Sequence, residues 1–167
     1  SIAIPREGIK SPMITAALPT NQDDEFLVVS GNEILKFDAI SKETQQVASI
    51  DYGNCFNDGK CDVNGRLWVG TFKGEPLNVI SMQRGAGSIY SLDKQFDLSQ
   101  KATGFCISNG ITWSADNKRM FLVDSMERVI NVFNFDANLG TVGMKNISFS
   151  IAKIQQDNPF IYCRKQK

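Results

Sequence analysis

Asn64-Gly65-Arg66-Leu67-Trp68-Val69-Gly70-Thr71 opens on a two-residue polar turn and continues as a short apolar run. That is the composition of a buried β-strand entered from a tight turn. The pattern recurs on either side. Upstream, Asn21-Gln22-Asp23-Asp24 leads into Phe26-Leu27-Val28-Val29; downstream, Asp116-Asn117 leads into Arg119-Met120-Phe121-Leu122-Val123-Asp124. Each run has a partner of the same character that ends on an acid. These are Glu33-Ile34-Leu35-Lys36-Phe37-Asp38, Gly87-Ser88-Ile89-Tyr90-Ser91-Leu92-Asp93 and Arg128-Val129-Ile130-Asn131-Val132-Phe133-Asn134-Phe135-Asp136.

Short antiparallel strand pairs repeating at roughly 40–50 residues are the signature of propeller blades. A β-sandwich would space its strands at about 8–12 residues without the longer period. The sequence therefore predicts an all-β fold, part of a β-propeller. At roughly 48 residues per unit the chain supplies about three to three and a half blades, where a closed ring takes about four to eight. An open arc leaves apolar blade faces and strand edges uncovered. The expectation is either a longer protein or self-association through the open propeller edges. The repeat is assigned to residues 1–148. A divergent tail, 149–167, carries Gln155-Gln156-Asp157-Asn158-Pro159 and a basic end. No helix of useful length is predicted, and Gly104 interrupts the stretch from Ser99 to Ile107.

Composition narrows the chemistry. Of 167 residues, 18 are basic and 18 acidic, and none is histidine. The zero net charge gives no reason to expect nucleic acid or a membrane surface as partner. Without histidine, Ser-His-Asp and Cys-His catalysis and histidine-based zinc sites are excluded. What remains is carboxylates, amides, hydroxyls, lysines and hard cations held through oxygen. Cys55, Cys61, Cys106 and Cys163 form no CxxC pair and read as free thiols. No apolar run approaches the ~18 residues of a membrane span, and no signal segment is evident. A cytoplasmic protein is expected, with a secreted form as the alternative.

Two polar segments lie directly before strands: Asn54-Cys55-Phe56-Asn57-Asp58-Gly59-Lys60-Cys61-Asp62 and Ile107-Ser108-Asn109-Gly110-Ile111-Thr112-Trp113-Ser114. By composition each reads first as a turn. In a propeller, however, segments entering the innermost strands line the central channel. Equivalent polar segments in successive blades then point to one axial site. Amide and carboxylate oxygens there suit Ca²⁺, Mg²⁺ or Mn²⁺.

Phe56-Asn57-Asp58-Gly59-Lys60-Cys61-Asp62, followed by Gly65-Arg66-Leu67-Trp68-Val69-Gly70-Thr71, resembles the regucalcin, or senescence marker protein, family. Gly87-Ser88-Ile89-Tyr90-Ser91-Leu92, Ile107-Ser108-Asn109-Gly110 with Trp113-Ser114, and Val123-Asp124-Ser125 match it in order. Gluconolactonases, insect luciferin-regenerating enzymes and anterior fat body proteins are similar. The resemblance implies a six-bladed propeller with a divalent cation (Ca, Zn, Mn or Mg) in its channel. It also implies hydrolysis of sugar lactones, the metal polarising the lactone carbonyl as water attacks.

Carried over by position, Asn109 matches the metal-binding asparagine, Asn57 a substrate-contacting asparagine, Asp58 its acidic neighbour and Glu75 a substrate-contacting glutamate. Cys55 stands where many members have a substrate-binding arginine. The family's first metal glutamate belongs to an opening blade that this sequence lacks. The metal aspartate that serves as general base follows the third unit, where the unrelated tail stands. The resemblance thus predicts a regucalcin-like, metal-dependent sugar-lactone hydrolase whose catalytic base is missing, weakly active or inactive as this chain. The alternatives are a calcium-binding propeller without catalysis and a truncated, non-functional product. Asn109 alone is expected to hold a cation weakly, because hard cations take about six to eight oxygen donors.

Overall fold

The computed structural model describes residues 13–75 and 78–150. These residues form three four-stranded antiparallel sheets, each made from consecutive strands. The first contains β1 (Ile14–Pro19), β2 (Glu25–Ser30), β3 (Glu33–Asp38) and β4 (Thr44–Ser49). The second contains β5 (Asn54–Cys61), β6 (Leu67–Lys73), β7 (Gly87–Leu92) and β8 (Leu98–Phe105). The third contains β9 (Ser108–Trp113), β10 (Arg119–Asp124), β11 (Val129–Asp136) and β12 (Thr141–Ser150). A single 3₁₀ turn, Val79–Ser81, lies between β6 and β7. No helix among the described residues is long and apolar enough to cross a membrane. β12 continues to Ser150; the rest of the tail, with Cys163 and Asp157-Asn158-Pro159, lies outside the described residues.

The strand pairs read from the sequence are the second and third strands of each blade. The segment 54–62, read by composition as a turn, is instead the strand β5, and 108–113 is the strand β9. The turn residues act as expected. Asp24, Gly65 and Asn117 take positive φ (61°, 79° and 55°) at the three equivalent turns between first and second strands. Glycine, asparagine and aspartate tolerate that conformation best. The unit-ending acids cap the next turn. Asp38 accepts N–H bonds from Ile40 and Ser41, Asp93 from Gln95 and Asp97, and Asp136 from Asn138 and Leu139.

The blades pack face to face, and β6 shows what this requires. Leu67 and Val69 face the first blade, in a cluster with Val29, Ile34, Phe56 and Leu92. Trp68 faces the third, in a cluster with Ile89, Phe105, Ile111, Met120, Leu122, Phe133 and Phe135. A strand buried on both faces reads as a continuous apolar run, whereas one buried on a single face alternates. β6 is buried at six of its seven positions; β10 alternates, with Met120, Leu122 and Asp124 buried and Phe121 and Val123 only half-buried.

Polar contacts fasten the second joint. The buried Asp62 carboxylate accepts from Arg66 Nη1 at 2.7 Å and from Trp68 Nε1 at 3.1 Å. Arg66 Nη2 in turn donates to the carbonyls of Ala137 and Asn138 at 2.8 Å, in the turn before β12. Nearer the axis, Asp124 accepts the N–H groups of Cys106 (2.8 Å) and Ile107 (3.2 Å), where the chain passes from the second blade to the third.

Gly70 governs how closely β6 and β9 approach. A Cβ at Gly70 would lie 2.4 Å from Ser108 Cβ, whereas one at Gly110 would meet Val123 Cγ2 at an ordinary 3.5 Å. Gly70→Ala is therefore expected to lower stability by about 1–3 kcal/mol in urea unfolding, as overpacking does. Gly110→Ala is expected to leave the midpoint nearly unchanged.

Candidate functional site at the inner strands

β5 lies against both β1 and β9, so the first strands of the three blades run side by side. Each carries one extra residue at the same place. Ile14, Phe56 and Ser108 pair with the last-but-one or last residue of the blade's buried run, Ser30, Thr71 and Asp124 respectively. Thereafter two residues of the first strand oppose one of the second. Thr15-Ala16 faces Val29, Asn57-Asp58 faces Gly70, and Asn109-Gly110 faces Val123. Such bulges re-aim side chains and are common beside active sites.

The bulge residues link the blades in series. Asn57 Nδ2 donates to the Ser108 carbonyl at 3.0 Å, immediately before Asn109. Thr15 Oγ1 donates to the Phe56 carbonyl, immediately before Asn57, at a longer 3.5 Å. Asn109 has no further blade among the described residues, and its Nδ2 donates to Ser125 Oγ at 3.0 Å. With both amide nitrogens engaged, the side-chain oxygens of Asn57 and Asn109 are left on neighbouring strands as acceptors or cation donors.

Asp58 and Gly110 share an open groove of about 430 Å³ with Lys60, Ile111, Thr112 and the half-buried Phe121, Val123 and Ile130. One Asp58 oxygen accepts the Gly59 N–H at 2.9 Å. Glu75 is placed differently. It is exposed in the connection between β6 and β7, where its Oε2 accepts from Asn78 Nδ2 and its N–H donates to Ser81 Oγ. The structure thus sets Asn57, Asp58 and Asn109 at equivalent bulges of adjacent inner strands and keeps Glu75 within its own loop. Thr15 and Ser108 belong with the first group. Aligning the three first strands by their bulges would have found Thr15. The buried Ser108 hydroxyl, without a hydrogen-bond partner among the described residues, leaves no mark in the sequence.

As a cation site the set is partial. It offers two amide oxygens and one carboxylate, and no group of three or more His, Cys, Asp or Glu side chains gathers among the described residues. These are hard oxygen donors, the right kind for a divalent cation but fewer than a full shell.

The SMP-30/gluconolactonase/LRE-like region matches residues 4–159. The chain belongs to that family. Among relatives of the SMP-30/gluconolactonase/LRE-like family, it is 29% identical to bovine (Bos taurus) regucalcin over 159 residues, 92% of this chain and 51% of that protein. It is 27% identical to chicken (Gallus gallus) regucalcin over 149 residues, 87% of this chain and 49% of the other. A luciferin-regenerating enzyme superposes with a TM-score of 0.76 at 24% identity, covering 86% of this chain and 49% of that one. Regucalcin from Agrobacterium tumefaciens, described as a calcium-binding protein, superposes with a TM-score of 0.71 at 24% identity, over 81% and 45%. The fold is that of a partial β-propeller, and the chain spans about half the length of the relatives it matches.

The thiols near the site are subdued. Burial pushes the Cys55 and Cys61 thiols up from their ordinary range, and Cys61 is raised further by the Asp62 charge. Cys106, 3% exposed, is also raised by burial and by donating to Glu127 Oε1 at 3.2 Å. Because the thiolate is the reactive form, all three should alkylate more slowly in the folded protein than in urea at the same mildly alkaline pH. Peptide mapping after timed iodoacetamide treatment reads this site by site, with Cys106 expected to be slowest.

Proposed function

We propose that this chain supplies part of the channel site of a metal-dependent sugar-lactone hydrolase of the gluconolactonase type. The observation that carries the reading is the pair of equivalent bulges that set Asn57 and Asn109 side by side on adjacent inner strands. In this reading Asn109 lends its amide oxygen to a divalent cation, while Asn57 and Asp58 contact the sugar hydroxyls. When bound, the cation polarises the lactone carbonyl and favours attack by water. The Asn57–Ser108 hydrogen bond orients both amides. Glu75, on its exposed loop, contacts substrate only if the connection between β6 and β7 folds inward.

A second reading, calcium binding without turnover, is favoured by the state of Asp58. Its carboxylate caps its own bulge through Gly59, which suits a structural or ligand role better than that of a general base. A soluble, cytoplasmic setting is part of the proposal in either case.

Hydrolysis of glucono-δ-lactone in a pH-stat, with Mn²⁺, Zn²⁺ or Ca²⁺ added in turn, separates the readings. The lactonase reading expects a metal-stimulated rate that Asn57→Ala and Asn109→Ala each abolish. A rise in melting temperature with calcium and no turnover selects the second reading. Asn109→Asp should tighten metal binding in calorimetry, since it replaces a neutral donor with a charged one. Unchanged heats would remove Asn109 from the site.

A further inference from the structure

At the first joint, Phe56 of β5, fully buried, covers Leu27, Val29 and Ile34 of the first blade. The strand registers place the same surface on the third blade. Val29 pairs with Ile34 as Val123 pairs with Ile130, and Phe121 stands where Leu27 does. There Phe121, Val123 and Ile130 are only half-buried and form the apolar floor of the open groove. At the opposite end of the arc, the residue equivalent to Phe56 is Ile14, which precedes the bulge of β1 and is 46% exposed. The far face of the first blade carries its own cluster of Val28, Leu35 and Phe37, with no member from another described sheet. Among the described residues, one end of the arc therefore has an empty seat, and the other has an uncovered residue of the kind that fills it.

We propose that a second copy of this chain closes the ring, two three-bladed arcs meeting at two equivalent joints. The arc superposes on about half of a luciferin-regenerating enzyme chain, so two arcs supply the blades of one whole. A two-fold axis satisfies both ends at once. The third blade of each subunit receives Ile14 of the partner subunit, and the assembly is finite, as closed symmetry requires. The series of bulge contacts is completed in the same movement. Thr15 reaches the Phe56 carbonyl and Asn57 the Ser108 carbonyl, and Asn109 leaves Ser125 for the carbonyl of Ile14 of the partner subunit. Closure needs no turnover, so it stands or falls separately from the lactonase reading. It would also place two sets of Asn57, Asp58 and Asn109 around one channel.

The test is the solution mass of the full chain by light scattering across a dilution series. The expected mass is twice the 18.5 kDa of one chain. Ile14→Lys and Val123→Asp should each halve it. Trp68 and Trp113 meet edge to face at the second joint, away from both proposed contacts, and their fluorescence reports that the arc remains folded. Mixing the two variants should restore the dimer, because one joint then carries Lys against Asp and the other is unaltered. A monomeric parent chain overturns the proposal, as does growth into open filaments. A dimer that survives either single substitution also overturns it, since it would join like faces. Variants that are monomeric and folded but do not recover on mixing count against this joint.

Discussion

The hydrogen bond from Asn57 to the Ser108 carbonyl fixes the spacing of the inner strands, and the rest of the architecture is arranged around that spacing. For the bond to form, β9 must approach β6 so closely that position 70 admits no side chain. The bulge at Asn57-Asp58 must turn the amide toward the neighbouring blade rather than along its own sheet. Elsewhere along the same joint the facing positions carry larger groups. Trp68, Trp113 and Phe135 meet edge to face or tilted at centroid distances of 5.4–6.5 Å.

The same geometry explains what could be read from the chain. The second and third strands of each blade are legible because they bury apolar side chains between blades and end in polar turns; Leu67–Thr71 and Met120–Asp124 are the clearest instances. The outermost strands β4 and β8 face water along most of their length, so Thr44–Ser49 and Leu98–Phe105 carry little apolar pattern. The innermost strands fail for another reason. Their bulges break the two-residue alternation where the polar site residues stand, so Asn54–Cys61 resembles a loop in composition.

The site was legible in part, and by a different route. Asn57, Asp58 and Asn109 stand out because polar residues interrupt positions before strong strands, and they stand at equivalent bulges of adjacent strands. Glu75 could be placed only by counting along a connection whose path no local pattern sets, and it lies apart. Thr15 and Ser108 are ordinary residues in ordinary company; only the pairing of strands from different blades reveals that they sit beside the asparagines.

Each sheet is drawn from one uninterrupted stretch of chain, and the passages between sheets are only a few residues long, 50–53 and 106–107. None of the three borrows a strand from a remote part of the sequence. Every sheet is thus a self-contained cassette, and the backbone can be severed or respliced at those passages without tearing a hydrogen-bonded ladder. Genes encoding such chains can gain, lose or divide cassettes in whole steps. The size of the ring is then a matter of how many are brought together, whether on one polypeptide or several.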